Sequence, residues 1–305
     1  MEAIDWLLES DPAIRWQTMR DLCDLPAAAV DAERAKVATY GWGPRLVNRL
    51  AADGPVDAER PEWDCLRGLL LLRDMGWDPT SDDARSLVGR VSELTWHGQL
   101  PQDIAWHGRP FFAGEVEPCI NGRVVVVGAY TGQDVRVIVD RLLDEQCADG
   151  GWNCEAGNGS TRGSFHTTIC VLEGLLEFDR ATGDSGDVRV ARHRGQEYLL
   201  DRRLLRRLST SEVIDEAFTR FAYPTGYQYD LLRATDYLRS AEVTPDERSV
   251  EAVDIIRRRG RDGRWALDPA ESNPLEFDMD EHAGQPSRWN TLRALRVLRW
   301  ADSRA

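Results

Sequence analysis

The chain lacks the features that mark secreted and membrane-spanning proteins. Its six cysteines are scattered and form no Cys-x-x-Cys pair, a distribution that disfavours a disulfide framework and fits a reducing compartment. No apolar run reaches about 18 residues, so no membrane-spanning helix is predicted. The N-terminus has neither the basic segment nor the apolar core of a signal peptide. We therefore expect a cytoplasmic protein.

Positive charge is also in short supply. The 305 residues include 52 acidic and 38 basic side chains, giving a net charge of −14. This balance argues against nucleic acid and against anionic membrane surfaces as partners. The basic side chains are almost all arginine, as in the run 202–207, and at helical spacing they usually form solvated faces. Apolar residues make up 42% of the chain, enough for a large core.

An internal repeat organises the sequence. Arg15-Trp16-Gln17-Thr18 near one end is matched by Arg288-Trp289-Asn290-Thr291 near the other. Six segments are apolar around most of a helical circumference, and their starts lie about 45 to 65 residues apart: 15–22, 63–72, 119–127, 166–175, 229–238 and 288–295. More polar helical stretches alternate with them: 30–38, 82–94, 134–146, 187–205 and 247–259.

This alternation predicts an all-α protein made of stacked helical hairpins. Asp-Gly pairs at 53–54, 149–150 and 262–263 suit the turns, because glycine adopts a left-handed conformation at little cost. Six apolar helices favour a closed ring, an α/α toroid of about six inner and six outer helices in one domain over 1–305. The first and last inner helices would be neighbours. Valines 124–127 favour a strand by propensity, but their phase in the repeat predicts a helix.

An acid, a thiol and an imidazole stand at the starts of two successive inner helices. Glu117 and Cys119 mark the start of one, and His166 begins the next. Inner helices of a toroid start at the same end, so these side chains are predicted to converge. They are ligand types of a catalytic zinc ion with one position left for substrate. Cys154, in the intervening loop, is a candidate fourth ligand, and four protein ligands would indicate a structural site.

Two groups of motifs resemble known families. The runs Gln146-Cys-Ala-Asp-Gly-Gly-Trp152 and Arg261-Asp-Gly-Arg-Trp265 resemble the Gln–Trp repeats of squalene and oxidosqualene cyclases. The stretch from Glu117-Pro-Cys119 through Gln146 to Phe165-His-Thr167 and Leu172-Glu-Gly-Leu175 is similar to the zinc-site region of the protein prenyltransferase β subunit. Both families share the α/α toroid, so the resemblance implies that fold for nearly the whole chain.

The prenyltransferase resemblance implies a zinc ion held by Glu117, Cys119 and His166, with glutamate in place of the family's aspartate. It further implies a thiol substrate, bound as thiolate, that attacks an allylic diphosphate. Segment 110–118 contains no lysine or arginine, so the basic residues with which that family holds diphosphate are not matched there. The sequence leaves open whether a partner subunit is needed, as it is for prenyltransferase β subunits.

A second acidic group precedes the last inner helix. Phe277-Asp278-Met-Asp280-Glu281 resembles the Asp-x-Asp-Asp general acid of cyclases that protonate an alkene or an epoxide. In that motif crowded carboxylates keep one proton in place. Asp278, Asp280 and Glu281 are therefore the candidate catalytic residues of a cyclase, and an exposed acidic loop is the alternative interpretation.

These observations support three functions. The leading one is a zinc-dependent, transferase-like enzyme that acts on an apolar or isoprenoid substrate in the toroid cavity. The second is a metal-free terpenoid cyclase that uses Asp278 and Asp280. The third is a non-catalytic binding scaffold, in which Cys119 is a small buried apolar residue and His166 a hydrogen-bonding residue at a helix start.

Overall fold

The computed structural model describes residues 2–51, 60–97, 108–183, 186–269, 275 and 277–303, and these residues are mostly α-helical. The described residues also include one short antiparallel strand pair, β1 (Trp265–Ala266) with β2 (Pro286–Ser287). The helices in chain order are α1 (Glu2–Leu8), α2 (Pro12–Asp21), α3 (Ala27–Ala35), α4 (Trp42–Ala51), α5 (Pro61–Met75), α6 (Asp82–Ser92), α7 (Pro118–Tyr130), α8 (Arg136–Asp144), α9 (Phe165–Thr182), α10 (Asp187–Asp201), α11 (Leu231–Ser240), α12 (Val250–Arg259) and α13 (Arg288–Asp302). The prediction of an all-α protein is confirmed.

The predicted alternation of apolar and polar helices is also confirmed. The six apolar segments lie in α2, α5, α7, α9, α11 and α13, and the polar ones in α3, α6, α8, α10 and α12. Valines 124–127 are helical within α7, where each of them is buried, so packing outweighs their strand propensity. Among the described helices none has the length and apolar character needed to cross a membrane.

Two helices, α1 and α4, lie outside the predicted repeat. Helix α4 carries Gly43 and Pro44 in its first turn, and both residue types are poor helix formers in a helix interior. Proline is tolerated in the first turn because its missing N–H would have no helical partner there. Gly43 and Pro44 therefore obscure the helical pattern of α4 in the sequence, although both are tolerated in its first turn.

Polar caps explain where several of the apolar helices begin. Asp11 accepts a hydrogen bond from the backbone nitrogen of Ala13 at 2.8 Å, at the start of α2. Asp230 accepts one from the nitrogen of Arg233 at 2.7 Å, at the start of α11. Ser287 accepts one from the nitrogen of Asn290 at 3.0 Å, at the start of α13. Each cap satisfies a donor that the first helical turn leaves unpaired.

The chain divides into two compact units. The first consists of Met1–Arg45, Met75–Trp77 and Leu199–Ala305, and the second of Leu46–Asp74 and Asp78–Tyr198. Grouping residues 1–305 as one domain stays a prediction. In the first unit α2 and α13 run in the same direction, since Arg296 donates to Gln17 Oε1 at 2.8 Å and Arg299 to Asp21 O at 2.8 Å. The predicted contact between the first and last apolar helices is therefore present.

A tryptophan turn links α8 to α9 in the second unit. Gly150 has a φ of +90°, as the predicted Asp-Gly turn requires. The indole nitrogen of Trp152 donates to Leu142 O in α8 at 2.6 Å. Its backbone nitrogen donates to Thr168 Oγ1 in α9 at 3.0 Å. Trp152 thus connects the end of α8 to the first turn of α9.

The first unit contains the same arrangement. Gly263 has a φ of +72°, and the indole nitrogen of Trp265 donates to Ile256 O in α12 at 2.7 Å. The backbone nitrogen of Trp265 donates to Thr291 Oγ1 in α13 at 3.0 Å. The turns predicted at 149–150 and 262–263 are confirmed, whereas the pair at 53–54 lies outside the described residues. Trp152 and Trp265 thus make the same two hydrogen bonds, so the two turns match in their contacts as well as in their residue types.

Candidate metal centre

Glu117 and Cys119 stand at the beginning of α7. Glu117 is the N-cap residue, Pro118 occupies the first helical position, and Cys119 follows it. Proline is suited to that position because its fixed φ is already helical. The Cys119 side chain is 6% exposed, so the thiol lies in the interior next to a half-buried carboxylate.

The segment before α7 is held in place by hydrogen bonds. Asn121 accepts from the nitrogen of Glu115 at 2.8 Å and donates to Glu115 O at 2.7 Å. The Glu115 carboxylate accepts from the nitrogen of Glu117 at 2.7 Å, and Arg141 donates to Glu115 O at 2.6 Å. These contacts fix the backbone that carries Glu117, a type of support on which metal ligands commonly depend. The sequence analysis missed them, although a buried asparagine in an apolar helix is a usable signal.

Cys154 is presented by the loop between α8 and α9. It begins a 3-10 turn, Cys154–Asn158, which the side chain of Asn153 caps by accepting from the nitrogen of Glu155 at 2.9 Å. The Cys154 nitrogen donates to Thr167 Oγ1 at 3.3 Å, and the Cys154 sulfur lies 3.3 Å from the same oxygen. Thr167, which the sequence analysis did not single out, thus anchors this thiol at the first turn of α9.

Two glycines allow α7 and α9 to approach each other. A Cβ atom on Gly122 would lie closer than 3.0 Å to the backbone of Cys170 and Val171, and one on Gly174 closer than 3.0 Å to the carbonyl oxygen of Gly122. Since the Cys119 end of α7 also lies near the Thr167 end of α9, the two helices run in parallel. Their N-terminal ends therefore meet, as the sequence predicts for inner helices.

The approach brings three ligand atoms together. One carboxylate oxygen of Glu117 and the sulfur atoms of Cys119 and Cys154 all lie within 4.8 Å of one another. The Cys119 sulfur is 3.4 Å from Glu117 Oε2. A carboxylate with two thiols is a donor set that suits zinc, so the residues present fit the predicted metal.

His166 is close in sequence to this cluster but is not one of the three grouped ligands. It is the second residue of α9, it is half-buried, and it precedes Thr167. The sequence predicts His166 as the third ligand and Cys154 as an optional fourth ligand. The structure places Cys154 with Glu117 and Cys119, and a ligand role for His166 stays a prediction.

The two thiols of the cluster differ in acidity. A hydrogen bond to Cys154, together with burial, raises the pKa of Cys119. Accepting that hydrogen bond lowers the pKa of Cys154, and the Thr167 hydroxyl contributes in the same direction. The pair therefore loses its first proton from Cys154, and this sulfur is the one prepared to bind a cation as thiolate.

The acidic residues before α13 differ in exposure and in their partners. Asp278 and Asp280 are exposed. Arg45 donates to Asp278 O at 3.1 Å and pairs with the Asp280 carboxylate at 4.0 Å. Glu281 instead accepts from Ser287 Oγ at 2.7 Å and from the nitrogen of Arg288, and burial raises the pKa of Glu281. Asp278 and Asp280 are thus solvent-exposed, whereas Glu281 is engaged in hydrogen bonds at the start of α13.

A pocket of about 460 Å³ lies beside these acidic residues in the first unit. Its walls combine two tryptophans, two arginines and four carboxylates with smaller residues: Trp6, Glu9, Ser10, Asp11, Gly41, Trp42, Arg45, Met279, Asp280, Glu281, Pro286 and Arg288. Asp11, whose pKa is raised by burial, caps α2, and Glu281 contacts the start of α13. Two of the four acids are thus engaged in holding helix starts.

No protein-family model matches the chain, and no curated protein is significantly similar to it. The function is therefore to be inferred from the chemistry of the site.

Proposed function

We propose that the chain is a zinc-dependent, transferase-like enzyme that binds its metal through Glu117, Cys119 and Cys154. The convergence of these three ligand atoms within 4.8 Å is the observation that carries the proposal. Three protein ligands leave the fourth position of a tetrahedral zinc ion for a substrate, which is the arrangement of catalytic zinc sites.

The surroundings favour an apolar substrate, and the resemblance to the prenyltransferase β subunit implies that a substrate thiol binds the metal. Helix α7 is buried from Pro118 to Ala129, so the site adjoins apolar side chains. Zinc bound there would lower the pKa of a coordinated thiol, which would then react as a thiolate near neutral pH. The anchored loop of Cys154 and the hydrogen-bonded segment before Glu117 would hold the ligands in place before metal binds.

The proposal includes the α/α toroid. Parallel apolar helices occur in both units, as α2 with α13 and as α7 with α9. A tryptophan turn precedes α9 and α13 alike. Parallel inner helices, each entered from an outer helix, are the expected units of such a ring, and the whole ring would enclose the apolar cavity.

The cyclase alternative receives less support from the described residues. A protonated Asp280 would have to be shielded from water and from cations. Its side chain is instead 79% exposed and faces Arg45. The scaffold alternative requires only the fold, and a protein that binds no metal would favour it.

Metal analysis tests the proposal directly. Protein expressed with zinc should contain about one zinc per chain, and Glu117→Gln, Cys119→Ala and Cys154→Ala should each lose most of it. Cys147→Ala is a matched control, because Cys147 is also half-buried and lies in the same loop but outside the cluster. Full zinc content in both Cys119→Ala and Cys154→Ala, or no zinc in the wild type, would contradict the proposal.

His166→Ala distinguishes an open site from a closed one. If the fourth position is open, this variant should keep its zinc. A loss of zinc equal to that of Cys154→Ala would instead make His166 a fourth ligand and the site structural. Substituting Co²⁺ in both proteins provides a second readout, since the thiolate charge-transfer band should survive in His166→Ala and weaken in Cys154→Ala.

A further inference from the structure

One buried face of α13 carries three large polar side chains. Trp289, Arg293 and Arg296 follow one another at spacings of four and three residues, so they share a side of the helix. Trp289 is 2% exposed, and Arg293 and Arg296 are each 6% exposed. A face made of these residue types is unusual in an interior, because arginine is rarely buried without full pairing.

Each of the three side chains has a donor without a hydrogen-bond partner among the described residues. The atoms are Trp289 Nε1, Arg293 Nη1 and Arg296 Nε. Leaving a buried donor unpaired is unfavourable, because its hydrogen bond to water is lost without replacement, and native proteins contain few such donors. The three unpaired donors lie on one helical face, and an acceptor group bound against that face would satisfy them.

Aromatic side chains pack against Trp289 and Arg293. Trp289 is stacked between Trp42, with ring centroids 6.4 Å apart, and Tyr223, at 4.5 Å. The Arg293 guanidinium lies 5.8 Å from the Tyr223 ring. The stack holds Trp289 rigidly and adds an aromatic surface next to the cation.

Arg296 is fixed by polar contacts instead. It donates to Gln17 Oε1 at 2.8 Å and forms an ion pair with Asp21. Arg293 lies 3.9 Å from the Asp236 carboxylate. In each arginine some guanidinium nitrogens contact a neighbouring acceptor and orient the group. One nitrogen of each, Arg293 Nη1 and Arg296 Nε, has no partner among the described residues.

Charge in this region is unbalanced. The buried or half-buried cations are Arg233, Arg239, Arg293 and Arg296, and the anions facing them are Asp21, Asp230 and Asp236. Burial raises the pKa of Asp230 and lowers that of Arg296. Four guanidinium groups thus face three carboxylates in this region, an imbalance that a bound anion would offset.

We propose that this face of α13 binds a compact oxyanion, a phosphate or carboxylate group, through the free N–H groups of Trp289, Arg293 and Arg296. Such a group consists of acceptors only, and guanidinium nitrogens are its usual partners. The aromatic stack of Trp42, Trp289 and Tyr223 provides a surface for any organic part of the ligand. The site uses none of the cluster residues Glu117, Cys119 and Cys154, so it is independent of the proposed metal centre.

Anion titration tests the site. Unfolding temperature and binding heat are measured against inorganic phosphate and, separately, acetate, with chloride used to keep the ionic strength constant. At about 100-fold excess over Kd, one of these anions should raise the melting temperature by about 4 °C. The preferred anion identifies the ligand group as phosphate or carboxylate. No effect beyond that of chloride in either arm would show that water satisfies these donors, and would overturn the proposal.

Substitutions in α13 test which residues bind the anion. Arg293→Gln should abolish anion binding, whereas Arg299→Gln removes a positive charge from an exposed position of the same helix and should leave it unchanged. Trp289→Phe keeps the stack but removes one donor, and should weaken binding roughly tenfold without a change in net charge. If Arg293→Gln fails to fold, Trp289→Phe still decides the question, because wild-type affinity in that variant would refute the assigned contacts.

Discussion

The sulfur of Cys154 lies 3.3 Å from the hydroxyl oxygen of Thr167. This contact joins the loop after Trp152 to the first turn of α9 and places a second thiol beside Glu117 and Cys119. It explains why the loop cysteine, and not only the helix-start residues, belongs to the cluster. Together with the hydrogen bond from Cys119, it also lowers the pKa of Cys154, an effect that can be tested by measuring thiol reactivity against pH.

Cys154 should be the more reactive thiol of the pair in metal-free protein. Because the pKa of Cys154 is lowered by the hydrogen bond from Cys119 and by Thr167, its thiolate should form at a lower pH than that of an ordinary cysteine. The measurement is the rate of iodoacetamide labelling against pH, with the labelled peptides identified by mass spectrometry. Cys147, whose pKa is raised by burial, is the internal control.

Thr167→Val should shift the labelling profile of Cys154 to higher pH, because it removes the hydroxyl that stabilises the thiolate. Labelling of Cys147 should not change. A Cys154 profile identical to the wild type would show that Thr167 has no part in setting the acidity of this thiol.

Gly122→Ala should destabilise the protein by about 1–3 kcal/mol, the usual cost of overpacking. The added methyl group would collide with backbone atoms of Cys170 and Val171, which cannot move away by changing rotamer. Gly89→Ala is the matched control, since nothing lies within 4 Å of a Cβ at that helical position. The control should be neutral or stabilise by up to about 1 kcal/mol. Urea denaturation of the two variants and the wild type measures both effects, and equal stabilities would contradict close contact of α7 with α9.

Thr168→Val should cost about 1–3 kcal/mol, because it leaves the buried backbone nitrogen of Trp152 without its acceptor. Thr291→Val should have a similar effect, since Thr291 accepts from Trp265 in the same way. Thr182→Val, at an exposed position near the end of α9, serves as control. If only one of the two turn variants were destabilised, the hydrogen bonds would not be equivalent despite their matching geometry.

Glu281 should make stability depend on pH. Burial raises the folded-state pKa of Glu281 above the ordinary value of 4.5. The folded protein therefore holds this proton more tightly than the unfolded one, and stability should fall as the pH rises from about 4.5 through the folded-state pKa. Glu281→Gln should flatten that part of the profile, which chemical denaturation at a series of pH values would reveal. The exposed substitution Glu2→Gln should leave the slope as it is in the wild type.

The helices could be predicted because buried helices have a visibly apolar composition. Each apolar segment is covered on most sides, so its composition departs visibly from that of its neighbours, as α7 shows. Helix α4 escaped because Gly43 and Pro44 weaken the pattern without harming the first turn. The position of Glu117 and Cys119 at a helix start is predictable for a similar reason, since the apolar segment begins at residue 119.

The rest of the candidate sites depends on tertiary contacts. Whether Cys154 or His166 approaches Cys119 is decided by the path of the loop and by the hydroxyl of Thr167, neither of which follows from residue spacing. The unpaired donors of α13 are also hidden in the sequence, where Arg293 and Arg296 resemble ordinary surface arginines. Their burial becomes evident only when α2 and α11 are packed against them.

The contact at Gly122 and Gly174 has a mechanical consequence for the cluster. Backbone meets backbone there, so the two helices cannot slide or separate without breaking the contact a few residues from Cys119 and Thr167. Because one thiol is carried by α7 and the other is tied to α9, the distance between the two sulfur atoms is set by the spacing of the helices. At the proposed zinc site, metal affinity should therefore depend on that spacing, and a substitution that loosens α7 against α9 should weaken metal binding.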